Sequence, residues 1–78
     1  MTDLMKYVIG EYPGAMKNGT RVVKVFAEPG DAHPLGALAT VIGSMGHPSV
    51  GVGYFVIWDG EPGVPVFVMA KKLAQLVD

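Results

Sequence analysis

The run Tyr54-Phe55-Val56-Ile57-Trp58-Asp59 decides how this chain is read. It is built of aromatic and β-branched residues, the types that suit a pleated, half-buried surface. It is apolar at both alternating sets of positions until Asp59. A strand that is apolar on both faces is normally covered on both.

Downstream, Asp59-Gly60-Glu61-Pro62-Gly63 is a tight connection into a second apolar stretch, 66–69. Residues 70–77 are short and mixed. A single 3₁₀ turn followed by a last strand over 73–77 fits them. A short amphipathic helix with Leu73, Leu76 and Val77 on its apolar side is the competing reading. Upstream, residues 44–53 contain three glycines and Pro48 and read as a loop. A strand is expected over 37–43, with Leu38, Thr40 and Ile42 on one face and Ala39 and Val41 on the other. Glu28-Pro29-Gly30-Asp31-Ala32-His33-Pro34 is a loop, because its two prolines exclude a central strand. A first strand is expected over 20–26, after the Asn18-Gly19 turn signal. Its alternation is imperfect, since Lys24 shares a face with Val22. Residues 1–12 fit either a helix, with Leu4, Met5 and Val8 on one side and Thr2 as N-cap, or a strand ending at Tyr12-Pro13-Gly14. Such an arm could cover a barrel end or reach a partner.

Short strands separated by Gly/Pro turns point to an all-β fold. The order of two long loops, a hairpin, a 3₁₀ turn and a closing strand is that of a five-stranded SH3-like barrel. The expected organisation is an N-terminal arm, 1–18, and a single barrel domain, 19–78. Within 19–73, the stretches Gly19-Thr20-Arg21-Val22-Val23-Lys24, Gly53-Tyr54-Phe55-Val56 and Gly63-Val64-Pro65-Val66-Phe67 resemble the plasmid-borne type II dihydrofolate reductases. That resemblance implies a small SH3-like chain that assembles around a central pore, with Lys24 where the family places a substrate-steering lysine. The family's pore motif is Val-Gln-Ile-Tyr, and here Val64-Pro65-Val66-Phe67 stands in its place. The amide and the phenolic hydroxyl are both missing, so the resemblance implies the fold and the oligomeric habit without the reaction. The chain also resembles small SH3-like proteins that carry a Glu-Pro-Gly-Asp-x-His-Pro loop and a Pro-Gly-Val-Pro-Val-Phe hairpin, a likeness that implies no activity.

Composition narrows the function classes. The 78 residues suffice for one small domain, and half of them are hydrophobic. No cysteine is present, which removes disulfides and thiolate metal sites. No apolar run approaches the roughly 18 residues of a membrane span. The first twelve residues carry Asp3, Lys6 and Glu11 and lack a signal-peptide pattern, so the expected location is cytoplasmic. The formal net charge is −1 and the lysines and arginine are scattered, which argues against an electrostatic grip on nucleic acid. The Lys71-Lys72 pair reads as a solvated turn.

His33 and His47 are the two imidazoles, each before a proline. The two histidines with Asp31 or Glu28 would reach the three ligands a zinc site needs, but the favoured reading makes both histidines loop residues, capping a carbonyl or facing water, and no metal or cofactor is expected. His33 lies two residues from Asp31, the only pairing that suggests acid–base chemistry. Gly43-Ser44-Met45-Gly46 is not a nucleophile elbow, and Ser44 reads as a loop hydroxyl. Gly51-Val52-Gly53 precedes a strand, which is the wrong context for a dinucleotide loop. Tyr54, Phe55, Trp58 and Phe67 form an aromatic group suited to core and subunit interface, or to a peptide or planar ligand. The leading expectation is a non-catalytic, self-associating binding module, dimeric or tetrameric. Its surface would be Tyr54, Ile57, Trp58, Phe67 and Lys24, with Asp31 and His33 as loop candidates. The alternatives are a small-molecule binder or enzyme with a site at a subunit interface, and a nucleic-acid-binding barrel.

Overall fold

The structure, a computed structural model, describes residues 9–76. Most of the 1–12 segment, where helix and strand compete, and Val77 of the expected last strand lie outside the described residues.

Five strands form one antiparallel sheet: β1 (Arg21–Lys24), β2 (Leu38–His47), β3 (Gly51–Trp58), β4 (Pro65–Met69) and β5 (Leu73–Gln75). The order is β4-β3-β2-β1-β5, and a 3₁₀ turn, Ala70–Lys72, links β4 to β5. The all-β expectation is met, as are the 3₁₀ turn and the last strand. No ladder joins β4 to β5, so the sheet is not closed.

Alternation along β3 sets the core. Tyr54, Val56 and Trp58 point inward and are buried, while Phe55 and Ile57 lie on the other face and are half-buried. Val22, Ala39, Val41, Val68 and Leu73 complete the buried cluster, with Ala15 and Met16 of the arm packed against it. The Met16 backbone N–H donates to the Tyr54 hydroxyl at 3.0 Å. The described end of the arm therefore covers the Tyr54 end of the core.

The strand boundaries correct three expectations. The 44–53 loop does not exist as such: β2 runs on to His47, β3 starts at Gly51, and a tight turn joins them with Val50 N–H on the His47 carbonyl. The glycines there serve close approach. A Cβ on Gly53 would overlap the Phe67 ring, and one on Gly46 would press on the Tyr12 ring at 3.1 Å. Register slips between Val41 and Gly43, a bulge that lengthens β2 by one residue and resets its alternation. Ser44 is consequently a buried strand residue rather than a loop hydroxyl. Its backbone N–H donates to Gly10 O at 2.7 Å and its Oγ accepts from Tyr12 N–H at 2.8 Å. Finally, β1 ends at Lys24, which is buried on the same face as Val22, while Val25 and Phe26 beyond it are exposed. The broken alternation of the first strand reflects a lysine in the interior.

Candidate functional site

A cleft of about 440 Å³ lies between the loop 25–37, the turn 59–64, and the β4–3₁₀ junction. Two copies of one local sequence, Glu-Pro-Gly, build its rims. In 28–31 the Asp31 N–H closes on Glu28 O at 3.0 Å, with Gly30 at φ +89°. In 61–64 the Val64 N–H closes on Glu61 O at 3.3 Å, with Gly63 at φ +88°. Proline at the second position and a left-handed glycine at the third are the type II turn pattern. Each turn sets a carboxylate beside the cleft.

Asp31 is the hub of one wall. Its Oδ2 accepts from the Lys72 ammonium at 3.0 Å and lies 3.0 Å from the Lys24 ammonium; it also accepts the Glu28 backbone N–H at 3.0 Å. The Glu28 backbone, followed by Lys72 and Lys24, holds the Asp31 carboxyl well below the usual carboxylate range. Lys72 is raised in turn, chiefly by its hydrogen bond to Asp31, with Glu28 adding to it at 3.2 Å. Lys24 Nζ also donates to His33 O at 2.6 Å, and its side chain is only 4 % exposed. A buried ammonium is tolerated because a carboxylate and a carbonyl meet it there.

His33 forms the other wall. Its ring stacks on the Trp58 indole, and its Nε2 meets Glu61 Oε1 at 2.6 Å. Trp58 is buried, yet among the described residues its indole N–H has no hydrogen-bond partner. Such orphaned buried donors are uncommon in folded proteins.

The sequence-derived surface divides. Trp58, Lys24, Asp31 and His33 meet at the cleft, and Tyr54 is an interior residue hydrogen-bonded to the arm. Ile57 and Phe67 lie with Phe55 on the outward face of the sheet, and Phe67, on the edge strand β4, borders both the cleft and the outward groove. The carboxylate that pairs with His33 is Glu61, not its sequence neighbour Asp31. Lys72 is held by two carboxylates and is not a solvated turn residue, whereas Lys71 stands exposed with its ammonium 5.5 Å from the Phe26 ring centroid. His47 sits at the far hairpin, where Nδ1 accepts the Ser49 N–H at 3.1 Å. Among the described residues no group of three or more His, Cys, Asp or Glu side chains could hold a metal ion. Glu61 is not among the residues singled out from sequence, and Glu28 and Lys72 stand out there only as a zinc-ligand candidate and as part of a solvated turn; the repeated Glu-Pro-Gly is the available signal for the two glutamates.

The outward face of β2, β3 and β4 is a second feature. Directly opposed pairs there are Thr40–Ile57, Gly43–Phe55, Met45–Gly53, Phe55–Phe67 and Gly53–Met69. None of these residues is Asp, Glu, Lys or Arg. Phe67 and Met45 are nearly half exposed, and a groove of about 220 Å³ runs between Met45, Val50, Gly53, Phe67 and Met69. The patch ends at Arg21 and Asp59, a two-pronged pair at 2.8 and 2.6 Å.

Comparison with protein-family models, with curated proteins and with solved structures finds no match to this chain. Among the described residues no helix is long and apolar enough to cross a membrane.

Proposed function

We propose that the chain is a non-catalytic SH3-like interaction module that associates with further copies of itself through the outward face of β2–β4. The strand order β4-β3-β2-β1-β5 and the 3₁₀ turn before the last strand support the SH3-like reading. The observation that carries self-association is the uncharged, apolar outward face around Phe67. A solvated sheet face normally alternates into polar and charged residues, and apolar patches of this kind mark interaction sites. A two-fold interface sets a patch against its own copy. Charges of one sign would then meet themselves, and a patch without charges avoids that repulsion. The reductase reaction is not part of the proposal. Pro65 opens β4 opposite Ile57 and has no amide to offer a ligand.

Sedimentation equilibrium at micromolar concentration tests the reading. The expected species is a dimer or tetramer of the 8.2 kDa chain. A single 8.2 kDa species overturns it.

A further inference from the structure

The loop segment 26–34 is held to the sheet in an unusual way. Its strand-side anchors are at its base: Lys24 N–H to Ala37 O at 2.9 Å, Gly36 N–H to Lys24 O at 2.9 Å, and Val25 N–H to Lys72 O at 2.8 Å. Between residues 26 and 34, among the described residues, no backbone-to-backbone hydrogen bond reaches a strand. Every hold there involves a side chain: Asp31 between Lys24 and Lys72, Glu28 on Lys72, His33 on Trp58 and Glu61, and Lys24 on the His33 carbonyl. Phe26 and most of its neighbours are exposed, so apart from the His33 ring on the Trp58 indole the segment buries little apolar area. Segments with few buried apolar contacts and few protected backbone bonds open at low free-energy cost.

We propose that 26–34 is a displaceable lid and that the surface it covers beside the cleft, on Lys24, Lys72 and Trp58, binds an acidic peptide segment of a partner protein, of the form acidic residue, any residue, aromatic residue. Asp31-Ala32-His33 lines the cleft and sits on Lys24, Lys72 and Trp58 as the chain's own version of that ligand. It delivers one carboxylate to two ammoniums, one carbonyl to Lys24, and one flat ring to the indole. Lifting it leaves two converging lysines, one of them buried, and an uncovered indole whose N–H already lacks a partner. A peptide that brings its own carboxylate and ring restores the contacts the lid gives up. Charge-assisted bonds of this kind carry selectivity for the acid over its amide. The lid competes with the peptide, so apparent affinity is the intrinsic affinity reduced by the open fraction. Phe67 and Met69 border both the cleft and the outward groove, but Lys24, Lys72 and Trp58 do not line that groove, and the two readings fail separately: sedimentation reports one and peptide binding the other.

Trp58 is the only tryptophan, so its emission reports the cleft directly. The probe is an acetylated, amidated pentapeptide Gly-Asp-Ala-Phe-Pro, with Gly-Asn-Ala-Phe-Pro as its uncharged control. The parent, the Asp31→Asn/His33→Ala variant and the Lys72→Ala variant are titrated with both. The expected result is a saturable change in Trp58 emission with the acidic peptide, at least about tenfold tighter in the lid variant than in the parent, and weakened in Lys72→Ala. Equal or weaker binding in the lid variant, or indifference to the Asp/Asn exchange, overturns the proposal. If the double variant does not fold, the single variant His33→Ala, which keeps both lysines paired, serves in its place: tighter binding supports the lid and unchanged binding overturns it. Inorganic phosphate titrated alongside must fail to match the peptide; equal competition would reduce the site to a simple anion trap and overturn the peptide assignment.

Discussion

The imidazole of His33 lies flat on the indole of Trp58, with ring centroids 4.6 Å apart and planes 16° from parallel. The contact joins a loop residue to the residue that closes β3. It also places His33 Nε2 on Glu61, so one side chain ties the 25–37 loop to the 59–64 turn. His47, the other histidine, supports only its own hairpin turn.

The two histidines therefore respond differently to truncation. A stacked aromatic pair is worth roughly 0.5–1.5 kcal/mol beyond its area. His33→Ala is expected to cost about 1 kcal/mol and to shift Trp58 emission to the red, with easier quenching by acrylamide. His47→Ala is expected to stay within about 0.5 kcal/mol of the parent, as an ordinary surface change does. Urea melts of both variants check this, and equal effects at the two positions would contradict it.

Acid stability follows from Asp31. Its folded pKa lies below the unfolded value, so its contribution is complete above the ordinary aspartate pKa, about 3.9. As pH falls below that value, the unfolded chain takes up a proton that the native site refuses, and stability declines toward the lowered folded pKa. Asp59, lowered by its hydrogen bonds to Arg21, acts in the same direction and the same window. The midpoint of thermal unfolding is expected to be flat in this respect from pH 7 to about 5 and to fall below about 4. In Asp31→Asn the midpoint at neutral pH drops, because two ammoniums lose their shared carboxylate, and the fall below pH 4 becomes shallower. A parent and variant with parallel acid profiles would show that Asp31 is not the group responsible.

Gly53 and Phe67 are coupled across β3 and β4. A Cβ at position 53 falls inside the Phe67 ring, so the ring must swing aside. The ring is partly exposed and can move, which places Gly53→Ala at the low end of overpacking costs, about 1 kcal/mol. In a Phe67→Ala background the clash partner is gone and the same change is expected to be neutral. A double-mutant cycle from denaturant melts gives the coupling energy, and additivity within error would rule out the contact.

What could be read in advance tracks the range of the interactions. The aromatic strand β3, the Pro/Gly turns and the 3₁₀ turn before the last strand were legible because they depend on residue type and local spacing. The long β2–β3 hairpin was not, because Gly46, Gly51 and Gly53 resemble loop punctuation until Tyr12 and Phe67, distant in sequence, are seen to lie over two of them. Lys24 illustrates the same limit. Its place beside Val22 was visible as broken alternation, but the reason is Asp31 and the His33 carbonyl folding back on it. The aromatic group was recognised as a group, but the pairing register that sets Phe67 beside Phe55 on the outward face, with Tyr54 and Trp58 on the inward one, is a long-range property that strand period alone does not give.

Self-association can be tested with an internal control, since Phe26 and Phe67 are equally exposed, each at 46 %. Burial alone does not distinguish them, but their surroundings do. Phe67 sits in the outward face against Phe55, ring centroids 5.0 Å apart, with no charged side chain among the residues paired across β2–β4. Phe26 lies beyond the end of β1, with the Lys71 ammonium over its ring. If the outward face is the subunit contact, Phe67→Glu puts a charge into each copy of the patch, where two-fold symmetry brings carboxylates together in an apolar setting. The expected outcome is an 8.2 kDa monomer or loss of the fold for Phe67→Glu, and an unchanged oligomer for Phe26→Glu. Ile57→Glu, on the same face and one strand over, should behave as Phe67→Glu does. If Phe67→Glu and Ile57→Glu both keep the parent's sedimentation mass, the contact does not lie on this face. If Phe26→Glu dissociates the oligomer while they do not, the interface lies at the β1 end of the molecule instead.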